Sequence, residues 1–242
     1  MSTALELPPI STDLLREVEA TALGQGLARA NIVEAAARAA AALARKLLDN
    51  QLGDASVVAL VGTGVKAAVA LHSLRLLQGF GADCTAVLTS GEREMRPETL
   101  AAAQLAEALR IRLLQPRSPL VRNAIAEAGL VIDGLIGVGL EGAAREPAAT
   151  LIRNTNELRT QVLSLEVPTG LDPDSGEPTQ PTLKARATLA LGLPAQGLFG
   201  ALAWQFTGEL WLCDVGYPLS ALDEHELDGD GLFSENELVR LR

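Results

Sequence analysis

The sequence predicts an α/β protein: a three-layer α/β/α sandwich around a mainly parallel, Rossmann-like sheet. Three observations predict it. Short apolar runs alternate with longer helical patterns, the connections between them are short, and glycine-containing turns follow two of the runs. Parallel strands need crossovers that return the chain to the same end of the sheet, and this alternation supplies them.

Residues Ser11 to Leu23 read as a first helix, with Ser11 or Thr12 available as its N-cap, and Ile32 to Leu48 as a second. Val57 to Val61 is a five-residue apolar run, followed by a glycine turn and a helix from about Lys66 to Gln78. Cys84 to Leu88 is the next strand. Pro97 to Leu109 is the next helix, Pro97 being suited to a first helical turn that needs no N–H. A short strand near Ile111 to Leu114 precedes a helix over Val121 to Ala128. Leu130 to Ile132 reads as a strand, Pro147 to Leu158 as a helix, and Gln161 to Leu165 as a buried strand. Strands at Ala187 to Leu191 and Leu210 to Cys213 close the series. There is no internal repeat and no long linker, so the expected division is one domain over residues 1–218 with an acidic tail over 219–242.

A chain of 242 residues can bury a full core. Its 20 Lys and Arg against 30 Asp and Glu give a formal charge of −10, a field that repels nucleic acid and anionic membranes, so neither is an expected partner. Cys84 and Cys213 lie in apolar runs far apart in sequence and read as buried thiols of a reducing compartment. Residues Met1 to Leu15 lack the pattern of a signal peptide, and no apolar stretch is long enough to span a bilayer, which makes a cytoplasmic location the expectation. His72 and His225 stand alone, without zinc spacing.

Three loops carry the chemistry. In an open parallel sheet, ligands are handled at the strands' carboxyl ends. After Leu165 the chain offers a carboxylate at Glu166 and a hydroxyl at Thr169, on a turn shaped by Pro168 and Gly170. Gly62-Thr63-Gly64 follows a strand and opens a helix, the context in which backbone amides hold a phosphate, although a tight turn with no ligand fits the same residues. Gly137-Val138-Gly139 is a second such turn, and a simple bend after a strand is its plainer reading. Glu226 to Glu237 has the spacing of a calcium loop, but its first ligand is Glu rather than Asp. Ser234 with Glu237 reads instead as a capping box opening a last helical turn.

The stretch Glu166-Val167-Pro168-Thr169-Gly170-Leu171-Asp172-Pro173-Asp174-Ser175-Gly176 resembles the D-(I/V)-P-S-G-L-D-x-D-(T/S)-G signature of the YjeF N-terminal domain family, the NAD(P)H-hydrate epimerases. Val131-Ile132-Asp133-Gly134-Leu135-Ile136-Gly137-Val138-Gly139-Leu140 resembles the family's V-D-A-L-F-G-T-G-L, and Asp214-Val215-Gly216-Tyr217-Pro218 its D-I-G-I-P. The resemblance implies a YjeF N-terminal-like fold, a homodimer as the expected assembly, a nucleotide-like ligand or a protein as partner, and interconversion of R- and S-NAD(P)HX, a substrate rather than a cofactor. It implies Glu166 as acid/base; Gly62, Gly64, Lys66, Gly137, Gly139, Thr169 and Gly170 as substrate-binding; and Asp133 as ligand of a monovalent cation, potassium in the family.

The chain also departs from the family. Where the first glycine turn resembles G-P-G-N-N-G-G-D-G, it keeps Gly62 and Gly64 but has Val65 and Lys66 for the two Asn, Ala67 and Ala68 for two Gly, Val69 for the Asp and Ala70 for the last Gly. Val138 stands for a Thr, Arg186 for an Asp, Ala195 for a Lys, and Val33-Glu34-Ala35-Ala36-Ala37 for M-E-N-A-G. Two expectations follow for Lys66: its ammonium takes the cation's place beside Asp133, or it points into solvent from the first helical turn. Two follow for function: an epimerase with weakened or lost activity, or a catalytically silent domain that binds a partner protein or nucleotide-like ligand. An ordinary Rossmann oxidoreductase, with Gly62, Gly64 and Ala67 at the phosphates and Glu92 on the ribose, leaves the segment from Glu166 to Gly176 unexplained.

Overall fold

The computed structural model describes residues 10–139 and 142–242. Its elements run α1 (Thr12–Gly24), α2 (Arg29–Leu47), β1 (Ser56–Val61), α3 (Val65–Gly79), β2 (Asp83–Leu88), α4 (Pro97–Ala108), β3 (Arg112–Leu114), α5 (Leu120–Glu127) and β4 (Leu130–Gly134). They continue with α6 (Ala148–Leu158), β5 (Val162–Leu165), β6 (Ala187–Leu191), α7 (Trp204–Thr207), β7 (Glu209–Cys213), α8 (Leu219–Asp223) and β8 (Leu238–Arg240). The strands form one sheet in the order β3-β2-β1-β4-β5-β6-β7-β8. Every pair is parallel except β7–β8.

The residues dictate the layering. Along β1 the side chains alternate: Val57, Ala59 and Val61 pack with α2, α3 and α4, while Val58 and Leu60 pack with α5 and α6. Both faces are covered, which is why the strand reads as an unbroken apolar run rather than an alternating one. Alanines set the closeness of one layer. Ala36, Ala37, Ala40 and Ala44 of α2 and Ala67, Ala68 and Ala70 of α3 are all fully buried. Ser11 caps α1, its hydroxyl accepting the Leu14 amide at 3.3 Å.

The sheet's order reverses between β1 and β4, because the chain winds outward through β2 and β3 and then crosses back. The register pairs Val57 with Leu130 and Val61 with Gly134, so both strands end level and their following loops face each other. That is the switch point at which doubly wound sheets bind ligands.

Residues 219–242, read from sequence as a tail, contribute α8 and the edge strand β8, whose Leu238 and Val239 pair with Cys213 and Leu212. The helical turn expected from Ser234 and Glu237 is not formed; that segment leads into β8, where ladder bonds to β7 replace the capping bonds a helix would use. No helix among the described residues is long and apolar enough to cross a membrane.

Candidate active site

Three loops meet at the carboxyl ends of β1, β4 and β5, and Asp133, the penultimate residue of β4, ties them together. Its side chain is fully buried and accepts five hydrogen bonds. Oδ1 takes the Leu135 amide at 3.1 Å and the Thr169 hydroxyl at 2.7 Å. Oδ2 takes the Ser164 hydroxyl at 2.8 Å, the Thr169 amide at 2.9 Å and the Lys66 ammonium at 3.1 Å. A buried carboxylate is tolerated only when its lone pairs are filled this way.

Lys66 is equally enclosed, 3% exposed. Its Nζ also donates to the carbonyl oxygens of Val167 at 2.8 Å and Ile136 at 3.1 Å, with Thr169 Oγ1 at 3.4 Å. The first of the two expectations for Lys66 thus describes its position. The monovalent cation that the resemblance implies would need these same oxygens, and an ammonium already stands among them. The residues present therefore do not fit that ion.

Glu166 lies at the tip of β5 with positive φ (58°), a left-handed backbone that is uncommon for a side chain of this kind. Its amide donates to Leu189 of β6 at 2.8 Å, and its Oε2 accepts the Val138 amide at 3.1 Å. The half-buried carboxyl is held above the usual carboxylate range, chiefly by desolvation, with the Lys66 charge and the Val138 hydrogen bond opposing and Glu19 and Asp133 adding to the rise. Gly137 makes room for it. A Cβ at Gly137 would overlap Glu166 Oε2, with Cδ at 2.8 Å and the Lys66 Cδ at 3.2 Å.

Glu166 stands where two spaces join. Inward lies a small cavity of about 80 Å³, walled by Leu15, Ile32, Val65, Val69, Val138, Leu191, Leu193, Ala195 and Tyr217. Outward lies a groove of about 500 Å³ whose floor is Thr63, Gly64, Gly137, Val138 and Gly139 and whose walls carry Arg16, Arg29 and Arg96 together with the acidic Glu19. Arg16 reaches across from α1 to the Val138 carbonyl at 3.1 Å, and Arg29 pairs with Glu19 at 2.8 Å. Three guanidinium groups at one groove stand out on a chain of charge −10. The Tyr217 phenol is pushed up by burial first, then by Glu19 and Glu166.

The residues predicted from sequence divide into two groups. Glu166, Gly64, Lys66, Gly137 and Gly139 border the groove. Gly62, Thr169 and Gly170 do not line either space, and each has a structural reason for its identity. A Cβ on Gly62 would overlap the Leu135 carbonyl, so only glycine lets the β1 and β4 turns touch. Thr169 is fully buried in the Asp133 network. Gly170 has φ of 99° and packs against the Pro181 carbonyl, with Thr182 Cα 2.7 Å from where its Cβ would stand.

The polar replacements divide in the same way. Val65, Val69, Val138 and Ala195 wall the inner cavity, whereas Ala67, Ala68 and Ala70 are core. Arg186 lies at the amino end of β6, its guanidinium near Leu47 and Gln161, at the opposite end of the strand from the carboxyl-end loops. Asp172 accepts the amides of Asp174 and Ser175, and Asp174 caps α1 through Thr12, so both organise turns. Sequence reasoning missed Ser164, the lone hydroxyl in an apolar strand, and it missed Arg16, Arg29, Arg96 and Tyr217, which reach the cleft from elements distant in sequence. Among the described residues no group of three His, Cys, Asp or Glu is placed to hold a metal ion.

Fold and site together define a doubly wound α/β domain with a groove at its switch point and the Glu166 carboxyl group where that groove meets an inner cavity. A family model described as YjeF-related protein N-terminus matches residues 29–197, and the chain belongs to that family. A protein named NAD(P)H-hydrate epimerase from Dehalogenimonas lykanthroporepellens is 34% identical over 215 residues, 88% of this chain and 83% of the relative. One of the same name from Rhodopirellula baltica is 27% identical over 223 residues, 92% and 90%. The crystal structure of yeast ynu0, YNL200c, superposes with a TM-score of 0.84 at 17% identity, covering 97% of this chain and all of that one, a likeness of fold.

Proposed function

We propose that this chain interconverts the R and S forms of hydrated NAD(P)H, with Glu166 as acid/base, and that it does so more slowly than relatives with a polar pocket. The observation that carries the reading is the place of Glu166: its carboxyl group, held by the Val138 amide, stands where an arginine-walled groove meets a cavity, whereas Glu19, the other carboxylate there, is paired with Arg29. The groove's guanidinium groups and glycine turns suit a dinucleotide's phosphates. The reacting ring would then lie towards Glu166.

The chemistry balances on one carboxyl group. Its raised affinity for protons keeps the acid form available. The neutral acid protonates the hydroxyl on the ring's C6. The C–O bond breaks as the adjacent ring nitrogen donates its lone pair, leaving an iminium and water. Water adds to the other face of the same carbon, and the carboxylate takes back a proton. Val65, Val69 and Val138 offer the ring no hydrogen bonds, which is why a slow rate is part of the proposal.

A second reading is favoured by the apolar wall itself: a nucleotide-like ligand is bound and not turned over. Purified S- and R-NADHX, followed by chiral separation with and without the protein, distinguish the two. Interconversion above the spontaneous rate supports the epimerase reading. NADH-dependent thermal stabilisation without any interconversion supports the silent one and overturns the first.

A further inference from the structure

We infer that Lys66 is a tethered cation: its ammonium group fills an oxygen cage of the kind that holds a monovalent metal ion, and so frees this protein from dependence on one. Four oxygens from two chain segments converge on Nζ, namely Asp133 Oδ2, the carbonyls of Ile136 and Val167, and Thr169 Oγ1, at 2.8–3.4 Å. Two of the four are main-chain carbonyls, which sequence changes do not remove. An ammonium has three N–H donors, and the three shorter contacts match them one for one.

The geometry also says why the cage needs a cation. Val167 follows β5 and Ile136 follows β4, so both carbonyls belong to the loops that carry Glu166 and Gly137. Carbonyl dipoles and a carboxylate pointing at one spot repel each other unless a positive charge sits between them. Lys66 supplies that charge from the first turn of α3, and its stem passes along Gly137, where no side chain blocks it. A free ion would have to be bound from solution, whereas a lysine is present at an effective concentration set by its own backbone. The inference concerns the same site as the proposed function but not its reaction. Its test reads stability and chemical protection, so it can fail while the epimerase reading stands, and the reverse.

The test is thermal unfolding of the wild type, Lys66→Asn and Lys66→Met in potassium chloride and in tetramethylammonium chloride at equal ionic strength, tetramethylammonium being too large for the cage. The wild type is expected to melt at the same temperature in both salts. Lys66→Met, which fills the space without the charge, is expected to melt several degrees lower in both. Lys66→Asn, which vacates the space and adds an oxygen, is expected to melt lower in tetramethylammonium and to recover part of the loss as potassium is raised. Reductive methylation of the native wild type is expected to modify Lys46 and Lys184 while sparing Lys66.

A potassium-specific rise in the wild type would overturn the inference. So would a Lys66→Met variant as stable as the wild type, a Lys66→Asn variant indifferent to potassium, or methylation of native Lys66 at the rate of the other two lysines. Should Lys66→Asn yield no folded protein in either salt, the wild-type salt comparison and the methylation decide by the same criteria.

Discussion

Gly137→Ala separates catalysis from stability more cleanly than any other single change. A Cβ there would overlap Glu166 Oε2 and stand 2.8 Å from Cδ, where carbon atoms need about 3.5–4.0 Å. The carboxyl group must therefore retreat by about 1 Å and lose its bond to the Val138 amide. A misplacement of that size costs a reaction on the order of 100-fold. The fold has little reason to object. Gly137 does not have a left-handed backbone, the atoms that must move furthest belong to the end of a half-buried side chain while the buried Lys66 stem need give only a few tenths of an ångström, and the alanine restricts the unfolded chain by about 0.4–1 kcal/mol in the protein's favour. The lost hydrogen bond works against stability by about 1.5–3 kcal/mol at most. The assay is paired: NADHX interconversion and thermal unfolding on the same preparation. The expected result is a rate about 100-fold lower with a melting temperature changed by only a few degrees. A variant that interconverts NADHX as fast as the wild type would refute the placement of Glu166 as the acid/base.

The same substitution at Gly62 should behave in the opposite way, since its Cβ would overlap the backbone carbonyl of Leu135 rather than a side chain; Gly62→Ala is expected to lower the free energy of unfolding by about 2 kcal/mol or more, and an unchanged denaturation midpoint would contradict the close contact of the two turns. Glu166→Gln should raise stability in a pH-dependent manner. Because folding raises this carboxyl's pKa, its contribution is full below the unfolded value of about 4.3 and is lost as pH rises through the folded value. The glutamine variant is thus expected to out-melt the wild type near neutrality and to match it near pH ~4; a gap that does not change with pH would count against the assignment. Burial pushes both thiols, Cys84 and Cys213, up to about 12, so a thiol reagent at neutral pH should label neither until the protein is unfolded, and rapid labelling of the native protein would show that β2 or β7 opens.

Much of the fold was legible because local pattern and tertiary role agree. β1, β2, β5 and β6 are apolar runs whose two faces are both covered, and each is followed or preceded by glycine or proline. The edge strand β8 was not legible. Three residues, Leu238-Val239-Arg240, carry no period, and a capping-box pattern just before them argues for a helix that the pairing with β7 overrides. The helices α7 and α8, of four and five residues, are likewise too short for any periodicity to register.

The site was legible where a residue's type announces its chemistry and obscure where its neighbours decide. Glu166 and Asp133 could be picked out as carboxylates at the ends of apolar strands. Whether Lys66 turned inward or outward could not, since a first-turn lysine has room for both and the four oxygens around it come from residues 67 to 103 positions away. At Gly62 and Gly170, close approach of backbone to backbone looks the same in sequence as close approach of backbone to ligand. Arg186 is obscure for a related reason: its neighbours in sequence match the family, but the strand it precedes puts it at the other end of the sheet.

The acid/base role proposed for Glu166 is tested most directly by the ratio of wild-type to Glu166→Gln rates of NADHX interconversion, measured at one pH on folded protein. A positioned acid/base is worth roughly 10²–10⁴-fold, so the variant is expected to fall by that factor towards the spontaneous rate. A variant that retains the wild-type rate would contradict the claim and move the search to another group in the cleft.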